Sequence, residues 1–213
     1  MPYLDVVIHS FTTLFVIIDP LGLAPIFASL SAGDSVGSRA QLSRRATLIA
    51  AAILILFALT GKALLKAMGI TMAAFQIAGG IMLFLLAVEM LFEKRTERRQ
   101  KNVEHQTEDT FETGSEDIAV FPLATPLLAG PGTMGAVILI TANTRGSLAR
   151  EGIVILMLLA VMAISLLLLL VAGRLEKLLG VTGMRVINRV FGILLCSLAV
   201  QFVFDGIRDS GLL

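Results

Sequence analysis

Residues 152–173 form a run of 22 positions without a charged side chain. About 20 apolar residues suffice for a helix to cross roughly 30 Å of hydrocarbon, so this run places the chain in a lipid bilayer. Five further stretches fit less cleanly. Residues 6–30 are interrupted by Asp19, and residues 44–65 keep an uncharged core only from 46 to 61. Residues 68–91 carry Glu89 near their end, and residues 118–142 are uncharged but rich in proline. Residues 187–207 hold an uncharged core from 190 to 204. The pattern predicts an all-α membrane protein with six transmembrane helices. The short second and sixth cores require Arg45, Lys62 and Arg189 to snorkel, or the bilayer to thin.

Composition narrows the function. Apolar residues make up 56% of the chain and charged residues 15%, against about 45–50% and about 25% in soluble domains. A net charge of +1 gives no basic excess for nucleic acid. One cysteine, Cys196, and two histidines, His9 and His105, leave little material for a disulfide or a transition-metal centre, so neither metal nor cofactor is expected. Walker A, H-E-x-x-H and G-x-S-x-G motifs are missing. An aspartyl protease needs two neighbouring aspartates, and only Asp19 lies deep in a span. An enzyme is therefore a poor fit. The start of the chain has no basic n-region, so the first span is read as part of the mature protein.

The spans divide into three units: 1–93, a charged segment 94–117, and 118–213. Twelve of the 24 residues in 94–117 are charged, five basic and seven acidic, which marks a solvated linker or a docking loop. With six spans, one side of the membrane receives twelve Lys and Arg residues and the other five. The positive-inside rule then puts the central loop in the cytoplasm and both termini outside.

The two large units resemble each other. Pro20-Leu21-x-x-x-Pro25 returns as Pro126-Leu127-x-x-x-Pro131, 106 residues later. Gly80-Ile81-x-Leu83 and Leu86-Ala87-Val88-Glu89 return as Gly192-Ile193-x-Leu195 and Leu198-Ala199-Val200-Gln201, 112 residues later, with Gln76 opposite Asn188. Three spans per copy is an odd number, so the second copy enters the membrane inverted. Inverted repeats are common among secondary transporters.

Each proline removes a backbone N–H and frees the carbonyl four residues back, which lipid cannot satisfy. Asp19-Pro20 and Thr125-Pro126 each read as an N-cap residue followed by proline at the first helical position. Each broken span is thus expected to contain a half-helix starting inside the membrane, whose N–H groups suit a carboxylate. The freed carbonyls suit an ammonium group or a cation. Gly22, Gly130 and Gly132 allow a close backbone approach, and Thr133 is well placed for a ligand. The competing reading is a pair of simple kinks. Asp19 is read as a cap, a proton or cation coupling site, or a partner for a substrate ammonium. Gln76 and Asn188 are candidates either to flank the site or to join helices. Glu89 and His9 read as interfacial, and Asn143 as the cap that ends the fourth span.

Asp19-Pro-Leu-Gly-Leu-Ala-Pro25 resembles the first signature of the MarC family of bacterial inner-membrane proteins, and Phe121-Pro-Leu-Ala-Thr-Pro-Leu-Leu-Ala-Gly-Pro-Gly-Thr133 resembles its second. Ala78-Gly-Gly-Ile81 also fits. The resemblance implies six spans and transport, in the export direction, of small neutral amino acids of the alanine, glycine, serine and threonine class. It points to Asp19, Pro20, Gly22 and Pro25, and to Pro126, Gly130, Pro131, Gly132 and Thr133, as motif positions. The reading is a secondary transporter coupled to H⁺ or Na⁺, with Asp19 favouring H⁺. The alternatives are a passive channel, a membrane scaffold whose loop 94–117 docks a partner, and, last, an intramembrane hydrolase. The small-residue pairs Ala24/Ala28 and Gly132/Ala136 leave a homo-oligomer open.

Overall fold

The computed structural model of the protein describes residues 3–31, 35–92, 119–144 and 147–211. No strand occurs among them. The charged segment 94–117, His105 and the ends of the two flanking units lie outside the described residues.

The chain opens with α1 (Tyr3–Ile18), breaks at Asp19, and continues as α2 (Pro20–Leu30). Arg39 Nε donates to the Ser31 carbonyl at 3.0 Å just beyond α2, where a cation complements the helix dipole. Ser35 then caps α3 (Val36–Ala67), accepting from the Ser38 amide at 3.2 Å. α3 ends at Gly69, whose φ of 71° only glycine adopts without strain. Thr71 at once caps α4 (Met72–Leu91), so only a short turn separates the two helices. After residues 93–118 a π-helical segment (Val120–Leu128) leads to α5 (Pro131–Ala142). α6 (Leu148–Leu170) and α7 (Ala172–Asp209) follow, α7 being non-helical at Gly180.

Among the described residues, five stretches are long and apolar enough to cross a membrane: Tyr3–Ala28, Val36–Ala67, Met72–Leu91, Leu148–Leu170 and Val186–Asp209. The expected span over 118–142 differs. It comes in two pieces, and α5 alone, at 12 residues, measures only about 18 Å. The first span is the central one. Its apolar window is 67% buried, against 28–33% for the other four. Those four show large apolar side chains outward, including Leu56, Leu85, Leu156 and Ile193, as helices facing lipid should.

Packing follows a reciprocal scheme. α1 and α2 lie on α6, while the π segment and α5 lie on α3. α2 meets α7, and α5 meets α4. The closest pair is α4 with α7, antiparallel and held by glycines. A Cβ on Gly80 would lie 2.8 Å from the Ala199 carbonyl oxygen and 2.7 Å from the Val203 side chain. A Cβ on Gly192 would lie 3.3 Å from the Ala87 carbonyl oxygen and 3.1 Å from the Leu91 side chain. Adding 112 to 80, 87 and 91 gives 192, 199 and 203, so each contact is the other's image. Small residues of this kind let helix backbones approach closely within lipid.

Candidate functional site: two helix breaks and a polar cavity

Asp19 is 2% exposed and holds φ at 54°. Left-handed backbone is rare outside glycine, and Asp tolerates it because its short side chain can bond locally. Here Oδ1 accepts from the Gly22 amide at 3.0 Å, while the Asp19 carbonyl accepts from Leu23 at 3.1 Å. Asp19 thus caps α2 and Pro20 opens it, as the sequence predicts. Pro25 lies inside α2.

The second motif breaks one proline later than expected. Thr125 and Pro126 do not open a helix; both lie within the π-helical segment, and the Pro126 side chain is outside the described residues. The reason is local. Proline cannot supply the i→i−4 bond, and the widened π turn passes the bonding on, with the Ala129 amide donating to the Ala124 carbonyl at 2.9 Å. The chain straightens at Gly130 (ψ 167°), the extended geometry favoured before a proline, and Pro131 opens α5. Gly130 has no side chain to cap α5. The first-turn amides of Gly132 and Thr133 therefore have no side-chain acceptor like the one Asp19 gives Gly22. Thr133 is buried, whereas Pro131 is exposed.

Gln76 and Asn188 do not flank a common site. The residue pairs at Gly80, Gly192 and Gly206 run α4 and α7 antiparallel, which sets Gln76 beside Gly206. Asn188 lies 18 residues back along α7, about 27 Å away. Gln76 instead pairs with Asn143, its Nε2 donating to Oδ1 at 2.8 Å. Asn143 follows the last residue of α5, as expected of a helix end.

That pair lines a cavity of about 760 Å³ at the end of the bundle that carries the termini. α1 contributes His9 and Ser10, and α7 contributes Gln201 and Asp205. Gln201 Nε2 donates to Asp205 Oδ1 at 2.9 Å, and the His9 ring meets Phe202 edge to face at 6.2 Å. Arg150, Arg208 and Asp209 complete the charged rim. Ser10 Oγ and Gln76 Oε1 are buried and have no hydrogen-bond partner, and the same holds for Thr13 Oγ1, one turn further along α1. The sequence does not single out Ser10, and it marks Asp205 only as an aspartate outside the membrane core. A serine on an apolar helix and an aspartate near a span end carry no signal until folding places them together. Among the described residues, no cluster of His, Cys, Asp and Glu could hold a metal ion.

A family model described as MarC family integral membrane protein matches residues 4–210. A UPF0056 membrane protein of Archaeoglobus fulgidus is 37% identical over 208 residues, covering 98% of this chain and 95% of that one. The UPF0056 membrane protein YhcE of Escherichia coli is 32% identical, with 93% and 90% covered. The UPF0056 membrane protein YvbG of Bacillus subtilis is 31% identical, with 95% and 94% covered. No solved structure matches the chain at a significant level.

Proposed function

The chain belongs to the MarC family of integral membrane proteins, and from that premise we propose that it is a secondary transporter exporting small neutral amino acids. The alanine, glycine, serine and threonine class is the expected cargo, with H⁺ or Na⁺ as the coupling ion. The π segment and α5 act together as the interrupted fourth span, which brings the number of spans to six. The observation that carries the reading is the pair of breaks, at Asp19-Pro20 and Gly130-Pro131, one in each half and each inside an apolar stretch. Broken helices that aim N–H groups at a substrate carboxylate are what such carriers use. The open first turn of α5 suits that role. The buried Asp19 suits an ammonium group or a coupling proton.

The reciprocal glycine contacts support an inverted repeat, since two antiparallel helices related by a two-fold axis must exchange their contacts in this way. Alternating access then assigns Asn188 its place. It is the mate of Gln76, and Glu89 is the mate of Gln201. These two would line the mouth at the opposite end when the present cavity closes. The Asn188 Oδ1 atom is buried without a hydrogen-bond partner, as expected of a group awaiting that state. Relatives in E. coli and B. subtilis fit a bacterial cytoplasmic membrane, and the distribution of basic residues favours both termini outside and residues 94–117 inside.

The test is counter-flow of labelled alanine in proteoliposomes from pH 5 to 8, wild type beside Asp19→Asn. Saturable counter-flow supports a carrier, and its absence in folded protein sinks the amino-acid reading. If Asp19→Asn loses proton-driven accumulation yet keeps exchange, Asp19 is the coupling site. If it keeps both, Asp19 is only a cap.

A further inference from the structure

We infer that the cavity at the terminal end of the bundle is a binding site in its own right, holding the amino group of a small zwitterion on the outer side of the helix breaks. The inference rests on the transport reading only for its choice of an amino acid as the solute. The location is separate from the breaks. Ser10 stands nine residues before Asp19, about 13 Å along the helix, and Asn143 stands twelve after Pro131, about 18 Å.

Two unpartnered polar groups carry the argument. Several serines and threonines in these helices return their hydroxyl to the carbonyl four residues back, as Ser43, Thr60 and Ser165 do at 2.7–2.9 Å. Ser10 is 0% exposed, lines the cavity, and makes no such bond. Gln76, another residue lining the cavity, is 1% exposed and spends its Nε2 on Asn143, which leaves Oε1 a buried acceptor without a partner. A buried polar atom without a partner is costly and is explained by a ligand, an ion or water. Oε1 can only accept, and the Ser10 oxygen can accept too, so the fitting group is rich in donors. An ammonium group offers three. The Asp205 carboxylate, held by Gln201, lies on the same wall.

Arg150 and Arg208 stand on the lining beside Asp205 and Asp209, so a carboxylate is tolerated next to the ammonium group that the buried acceptors fit. At about 760 Å³ the space exceeds what alanine fills and admits larger neutral amino acids with their water.

The test is calorimetric titration of the full chain in nanodiscs with alanine, and competition by ethylamine and by propionate. Ser10→Ala and Gln76→Leu are compared with wild type, and each is melted without ligand. The expected result is saturable binding that weakens about tenfold in each variant, as loss of one hydrogen bond to a charged group predicts. Ethylamine should compete better than propionate. The Ser10→Ala protein should melt no lower than wild type, because it loses only an unpartnered hydroxyl. Unchanged affinity in Ser10→Ala, or equal competition by the two half-ligands, overturns the proposal, since Ser10 and Gln76 then do not hold an amino group. Absence of binding to folded wild type overturns it as well. Counter-flow on the same samples separates the two readings. Unaltered binding with intact counter-flow rejects this site and leaves the carrier standing; variant-sensitive binding without counter-flow keeps the site and rejects the carrier.

Discussion

The amide of Gly22 donates to Asp19 Oδ1 at 3.0 Å, and the carboxylate occupies the space that a Cβ on residue 22 would need, with its Cγ only 2.7 Å from that position. The two residues therefore specify each other. Asp19 turns the chain through a left-handed φ and caps α2, and only glycine three residues on leaves room for the cap. Asp-Pro-Leu-Gly is the local code for a helix break that stays bonded inside lipid.

Substitutions should separate the cap from the charge. Asp19→Asn keeps an acceptor oxygen and should melt within about 2 °C of wild type. Asp19→Ala loses the cap, worth about 1 kcal/mol, and should melt about 2–4 °C lower. Gly22→Ala must push the carboxylate aside and should cost at least as much as Asp19→Ala. Thermal unfolding in nanodiscs gives the order directly, and a Gly22→Ala protein as stable as wild type would contradict the geometry.

The α4–α7 contact predicts an unequal response from two equivalent glycines. At Gly80 an added methyl would meet the Ala199 backbone oxygen at 2.8 Å, which cannot move aside. At Gly192 the corresponding oxygen lies at 3.3 Å, and a few tenths of an ångström suffice. Gly80→Ala should cost about 1–3 kcal/mol by overpacking, and Gly192→Ala clearly less. Melting curves of the two variants test the ranking, which sequence symmetry alone would make equal.

Much of this arrangement is legible in the sequence, because the bilayer imposes strong rules. Uncharged runs located five of the spans, and the Asp19-Pro20 break followed from proline and capping chemistry. The second break was not legible to the residue. Thr125-Pro126 carries the same cap-and-proline signature as Asp19-Pro20, and what decides against it is a π turn that no short-range pattern announces. The periodicity likewise matched Gln76 with Asn188 as equivalent residues. Equivalence under an inverted repeat sets residues at opposite ends, so the match is a statement of symmetry and not of contact. Gln76 finds its partner Asn143 at a separation of 67 residues, which only the packing of α4 on α5 determines.

Orientation is open to a direct check. Twelve basic residues against five predict residues 94–117 in the cytoplasm and both termini outside. A periplasm-active phosphatase fused after residue 211 should be active, and the same enzyme inserted near residue 105 should be inactive. The reverse pattern would invert the membrane topology while leaving the packing of the helices untouched.

Alternating access makes a sharper demand on two cavity positions. Gln201 lines the open cavity and is exposed, whereas Asn188 lies 13 residues earlier in α7, near the start of its apolar span, with its Oδ1 buried. In a carrier the two ends cannot be open together. With Cys196 replaced by alanine, single cysteines at 201 and at 188 should react with a water-soluble maleimide at opposed rates. Conditions that slow Gln201→Cys several-fold, such as saturating alanine on one side, should speed Asn188→Cys by a similar factor. A channel would leave both positions reactive at once and shift neither with alanine. Opposed changes require one rearrangement that closes the wall around Gln76 as it opens the wall around Asn188, and the reciprocal glycine contacts between α4 and α7 are the surface on which that rearrangement can turn.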